Sequence, residues 1–160
     1  MIRSDFSSDA DYIAYLEKKV KRISINRWIG IMTREAFEVE LEESDLSCKS
    51  LVYWDVDGLK EANNKYGKVS SSMRMRQSLD RQADLIGMVF SGDEKLALID
   101  TCEAMEFAKR IQARYRLNEL DATFVIRHSW TDVWQAVSEM DDLCNALKRN
   151  GARGTITEIK

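Results

Sequence analysis

The sequence predicts an α+β domain built on a largely antiparallel sheet. Residues Ser50–Val56 (SLVYWDV) are an almost continuous apolar run of strand formers, as a strand buried on both faces requires. Met88–Phe90 and Leu96–Ile99 flank a polar cluster, Ser91-Gly92-Asp93-Glu94-Lys95, which is a hairpin pattern. The C-terminal third then alternates helical and strand periods without a linker between them.

Ser8–Ile25 opens the chain as a helix, with Asp9 and Asp11 in its first turn and Lys18, Lys19, Lys21 and Arg22 towards its end, matching the helix dipole. Ile13, Leu16, Val20 and Ile23 form an a/d seam about two heptads long. Such a seam serves equally to pack the helix on its own domain or to pair two chains. Residues 1–25 are accordingly set apart from a domain spanning 26–160. Thr33 caps a helix to about Glu43, and Ser44–Lys49 is a turn. After the Asp55-Val56-Asp57-Gly58 strand end, a helix over Gly58–Lys65 is interrupted at Tyr66-Gly67-Lys68. A second helical segment follows Val69–Ser72 and runs to about Ala83. Beyond the hairpin come a helix (Glu103–Arg116), a strand (Ala122–Trp130), a helix (Thr131–Arg149, apolar at Val133, Val137, Met140, Cys144 and Leu147), and a last strand over Gly154–Ile159. Asn150-Gly151 closes the last helix. A ferredoxin-like palm is the packing these elements imply.

The composition narrows the function classes. With 160 residues, 44% hydrophobic, 32% charged and a net charge of −3, the chain is a single globular domain with no basic face for nucleic acid. Cys48, Cys102 and Cys144 are far apart and the only histidine is His128, so no zinc set exists. No apolar run reaches the about 18 residues of a membrane helix, and MIRSDFSSDADY does not read as a signal peptide. A cytoplasmic protein with reduced thiols and no membrane contact is expected.

Adjacent carboxylates at a hairpin tip are solvent-facing, because an unpaired buried charge is costly. If the strand ending at Asp55 lies beside the hairpin, Asp55, Asp93 and Glu94 converge. Carboxylates in that density repel one another unless a hard cation sits among them, and oxygen donors select Mg²⁺ or Mn²⁺. Lys60, one helical turn beyond Asp55, and Lys148 then supply positive charge for a triphosphate. Carboxylates, a divalent ion and phosphate-binding lysines are the parts of nucleotidyl transfer.

These residues stand in the order and spacing of a known motif set. DVDGLKEANNKYGKVSSS, SGDEK and Leu147-Lys148-Arg149-Asn150-Gly151, preceded by NRWIGIMTREAF, make the chain resemble a divergent GGDEF domain, the catalytic module of diguanylate cyclases. The resemblance covers roughly Asn26 to the C-terminus. It implies that Asp55 and Glu94 bind the metal, with Asp93 in the same site as ligand or as base for the ribose 3′-hydroxyl. It further implies that Lys60 and Lys148 hold the triphosphate, that Asn63 bonds the base, and that Leu59 and Met75 line the base pocket. A homodimer is implied as well, each subunit presenting one triphosphate, and the product would be a cyclic dinucleotide second messenger.

The departures are local. Ser91 replaces the first glycine of the turn beside Gly92, and Lys95 replaces the usual phenylalanine. Ser72 stands where the family has a guanine-reading aspartate, which leaves the choice between GTP and ATP open. Arg81 and Asp84 resemble the family's RxxD product-inhibition site, shifted by one residue from the turn. A catalytically inactive GGDEF-like module that binds a nucleotide or protein partner is the alternative reading.

Overall fold

The computed structural model describes residues 3–26, 29–79 and 85–160. After a 3₁₀ turn at Arg3–Asp5 come α1 (Asp9–Ser24), α2 (Arg34–Glu43), β1 (Lys49–Asp57), α3 (Leu59–Tyr66) and α4 (Lys68–Ser78). They are followed by β2 (Leu85–Met88), β3 (Glu94–Asp100), α5 (Ala104–Leu117), β4 (Asp121–Arg127), α6 (Val133–Arg149) and β5 (Ile156–Ile159). The strands form one sheet in the order β2-β3-β1-β4-β5, antiparallel except for the β4–β5 pair. The expected α+β palm is the observed architecture.

Helices cover both faces of this sheet, which is why β1 is apolar at nearly every position. Val52, Trp54 and Val56 pack with Ala62 of α3, Met75 of α4 and Phe107, Ile111 and Tyr115 of α5. Leu51 and Tyr53 pack with Phe37 and Leu41 of α2 and with Val137, Met140 and Cys144 of α6. Trp54 anchors the first layer, stacked on Phe124 at 5.6 Å and edge-on to Phe107 at 6.0 Å. Its indole N–H donates to the Tyr115 hydroxyl at 3.2 Å. Side chains alternate between faces along a strand, so Asp55 and Asp57 belong to the α6 side with Leu51 and Tyr53.

Several boundaries differ from the sequence reading. The break between α3 and α4 is confined to Gly67, whose φ of 83° a side chain would resist, and α4 resumes at once at Lys68. Its helix ends at Ser78, whose hydroxyl bonds back to the Arg74 carbonyl at 2.8 Å, rather than near Ala83. β2 begins at Leu85 and stops at Met88, leaving Phe90 58% exposed at the turn. β3 begins at Glu94, two residues earlier than the apolar run suggests. α6 starts at Val133 behind an Asp132 cap, which accepts from the Gln135 amide at 2.7 Å. The α1 seam is solvent-facing, with Val20 59% and Ile23 69% exposed, so it is not the packing face of this helix on its own domain.

Candidate functional site

The site is built where β1 and β3 end together. Asp55 and Glu94 are direct cross-strand partners. Directly opposite residues on antiparallel strands share a face, so the two carboxylates stand side by side towards α6. Glu94 leads straight into the hairpin turn, and the Asp93 carbonyl accepts from the Val56 amide at 3.3 Å, tying that turn to β1. Gly58, at φ 67°, turns the chain from β1 into α3.

Lys148, the penultimate residue of α6, reaches this sheet edge. Its ammonium is 2.7 Å from Asp55 Oδ2 and 2.9 Å from Asp57 Oδ1. The other Asp57 oxygen accepts from the Thr123 hydroxyl at 2.7 Å and the Gly154 amide at 3.0 Å. The two carboxylates hold the Lys148 ammonium above its ordinary range against the opposing effect of burial. Burial pushes the Asp55 carboxyl up, Asp93 and Glu94 push the same way, and Lys148 opposes them.

At the turn itself the Ser91 hydroxyl lies against both the Asp93 and the Glu94 carboxylates. The Ser91 amide donates to Glu94 Oε2 at 2.9 Å. The serine that replaces glycine here thus holds the two acids together.

Beside the turn, between α3 and α4, is a cavity of about 430 Å³. Its walls include Leu59 and Asn63 of α3, Ser72 and Met75 of α4, and Gly92 and Asp93 of the turn. Of the residues singled out in the sequence, these six come together in one chamber. Asp55, Glu94 and Lys148 form a second group, and Ser91 and Asp93 join the two. Lys60 is exposed on α3 and is not part of the cavity lining. Arg81 and Asp84 lie outside the described residues. Lys68, Val69, Asn26, Ile29 and Met88 complete the lining and were not anticipated. Lys68 sits four residues before Ser72 on a helix, a spacing that would have flagged it. Asp57, part of the same strand-end motif, joins Asp55 at Lys148. Period-two alternation places it on the face of Asp55.

Among the described residues no three His, Cys, Asp or Glu side chains are gathered as a ready metal shell. The donor chemistry nevertheless suits a hard divalent ion. Asp55 and Glu94 present carboxylate oxygens from one face of paired strands, and a cation beside Asp55 opposes both the burial and the neighbouring acids that raise it. In this structure Lys148 is the cation on Asp55.

No protein-family model matches the chain, and no curated protein sequence matches it. Solved structures do. The diguanylate cyclase SiaD of Pseudomonas aeruginosa, in complex with its activator SiaC, is 21% identical with a TM-score of 0.63, covering 94% of this chain and 67% of that one. The GGDEF domain of DgcB from Caulobacter crescentus, in complex with c-di-GMP, is 17% identical with a TM-score of 0.64, covering 84% and 92%. The S helix-GGDEF-EAL portion of Vibrio cholerae LapD, bound to c-di-GMP, is 12% identical with a TM-score of 0.73, covering 95% of this chain and 40% of that one. With the Asp55–Glu94 strand pair and the hairpin between β2 and β3 in place, the chain has the fold of the GGDEF domains of diguanylate cyclases.

Proposed function

We propose that the protein is a metal-dependent nucleotidyl cyclase that condenses two nucleoside triphosphates, GTP and/or ATP, into a cyclic dinucleotide. The observation that carries this is the pairing of Asp55 with Glu94 beside Lys148, adjoining a cavity that holds Asn63 and Ser72. Asp55 and Glu94 would hold Mg²⁺ or Mn²⁺, with Asp93 in the same site, and the ion supplies charge stabilisation for the departing pyrophosphate. Lys148 exchanges its hold on Asp55 for the triphosphate, with Lys60 assisting from α3. Asn63 and the Ser72 hydroxyl meet the edge of the base, and Leu59 and Met75 pack on its faces. Asp93 either completes the metal shell or takes the proton from the 3′-hydroxyl that attacks the α-phosphorus of the second nucleotide. That attack needs a second active site, so residues 26–160 act as a catalytic domain in a homodimer. The exposed α1 seam within residues 1–25 is the surface to form it.

A second reading has its own observation. Lys148 already neutralises Asp55 and Asp57, and Ser91 already occupies the Asp93 and Glu94 carboxylates. A module so compensated would bind a nucleotide or partner without turnover.

Incubation with Mg²⁺ or Mn²⁺ and each labelled triphosphate, singly and in pairs, separates the two. Cyclisation predicts a cyclic product that is lost in Asp93→Ala and Glu94→Ala. Nucleotide binding without product, in a verified dimer, sinks the cyclase reading. Ser72→Asp restores an acceptor for guanine N–H groups and is expected to shift preference towards GTP; unchanged selectivity would remove Ser72 from base recognition.

A further inference from the structure

Lys95 is a fully buried lysine on β3, one residue past the paired acids. Its cross-strand partners are Trp54 and Met88, so it points to the face opposite Glu94, into the apolar layer under α3 and α4. An ammonium there is a poor choice for packing, since an apolar side chain of similar volume is often neutral or stabilising at such a position. Burial lowers its pKa to about 8, while the Asp93, Asp55 and Glu94 carboxylates act to keep it charged.

The contacts account for the cost. Lys95 Nζ donates to the Gly92 carbonyl at 2.9 Å and to the Asp93 carbonyl at 3.2 Å, and its next neighbour is Met75 Sδ at 3.9 Å. Gly92, Asp93, Met75 and Met88 all line the cavity, so the ammonium lies behind residues of its wall without lining it. Without it, the Gly92 and Asp93 carbonyls would lose this shared donor. Gly92 has no side chain of its own to fix the turn. Ser91 holds this turn from outside by its carboxylates, and Lys95 holds it from inside by its carbonyls.

We propose that Lys95 is a positioning residue of the site: its buried ammonium fixes the Gly92–Asp93 backbone and thereby the placement of the Asp93 and Glu94 carboxylates. This rests on the reading of the turn as the wall of a metal–triphosphate site, and the test is divided accordingly. Lys95→Met keeps the length and removes every donor, and Lys95→Gln keeps one amide donor. The first arm needs no ligand: NMR order parameters of the Ser91–Glu94 amides are expected to fall from the rigid value of about 0.85 to below about 0.6 in Lys95→Met, with β4 unchanged. The second arm is Mn²⁺ affinity by isothermal titration, expected to fall about tenfold in Lys95→Met, as for loss of groups that orient metal ligands. Lys95→Gln should lie between Met and wild type in both arms. A generic packing role gives the reverse order, since methionine suits an apolar layer better than glutamine.

A folded Lys95→Met protein with a rigid turn and unchanged Mn²⁺ affinity overturns the proposal. If Lys95→Met does not fold, Lys95→Gln decides: a turn as rigid as wild type overturns the proposal, and selective loosening supports it. Failure of the wild type to bind Mn²⁺ or nucleotide counts against the cyclase reading alone, and the first arm still decides the role of Lys95 in the turn.

Discussion

Lys148→Met leaves Asp55 and Asp57 at the sheet edge without their shared cation. The three side chains are only 14%, 17% and 8% exposed, so solvent does little to replace the ammonium. Breaking a buried ion pair by removing one partner costs roughly 3–5 kcal/mol. The residual exposure and the Thr123 and Gly154 bonds to Asp57 favour the lower end, about 3 kcal/mol. For a domain of this size that is roughly 6–12 °C in Tm. The sign of the pH dependence follows from Asp55. A carboxyl raised in the folded state contributes stability that is present at low pH and lost as pH rises through its folded value. Asp55 is already raised by burial, and removing Lys148 raises it further. The deficit of the variant should therefore be fullest at neutral pH and shrink on acidification towards the carboxylate range. The Lys148 ammonium, itself raised, loses its contribution only under strongly alkaline conditions, so it does not shape this window. Thermal unfolding between about pH 7.5 and 4.5 reads the effect. A Tm within about 2 °C of wild type, or a deficit independent of pH, would refute the reasoning.

Two further perturbations probe the scaffold. A Cβ on Gly87 would lie 2.4 Å from Phe37 Cγ and 2.5 Å from its Cβ, and Phe37 is fully buried between α2 and the sheet. Gly87→Ala should cost about 1–3 kcal/mol by overpacking, measured by denaturant unfolding, and an equally stable variant would deny the close approach. Burial pushes the Cys144 thiol up to about 12, whereas Cys48 and Cys102 are exposed. A disulfide reagent at neutral pH should titrate Cys48 and Cys102 quickly and Cys144 only on unfolding; rapid reaction of Cys144 would contradict its burial.

What the sequence disclosed followed from periodicity. β1 was legible because burial on both faces leaves an unbroken apolar run, and Asp55 near its end because a charge breaks such a run. The α6 stripe was legible too, and Lys148 lies four residues past Cys144 on that same inward side. The hairpin was recognised but its register was not. Starting β3 at the apolar residue Leu96 leaves Lys95 in the turn, where a lysine is unremarkable. Starting it at Glu94 puts Lys95 on the inward face with Ala97 and Ile99. The burial of Lys95 was hidden by a two-residue boundary, because charge patterns mark solvent exposure only on average. The end of α4 is not marked in the sequence: no proline or glycine stands at Ser78, and the chain turns extended at Leu79.

The two lysines together bear on how such a site would work. Lys148 meets the acids from the α6 face and Lys95 supports their turn from the α4 face. Four carboxylates, Asp55, Asp57, Asp93 and Glu94, are thereby held near one strand end by chain-supplied charge and by the Ser91 hydroxyl. On the proposed reading, an ion taking Asp55 Oδ2 displaces Lys148 from it, which leaves the ammonium on Asp57 alone with room for another anion. A triphosphate offers one within reach of the same side chain. Ion and nucleotide would then bind with positive coupling, each strengthening the other by an equal factor, as linkage requires. Lys148→Met removes the competitor for Asp55 and the ligand for phosphate at once. Mn²⁺ alone should bind it more tightly than wild type, while the enhancement by added nucleotide shrinks. Weaker Mn²⁺ binding with the coupling intact would place Lys148 among the structural ion pairs and take it out of the site.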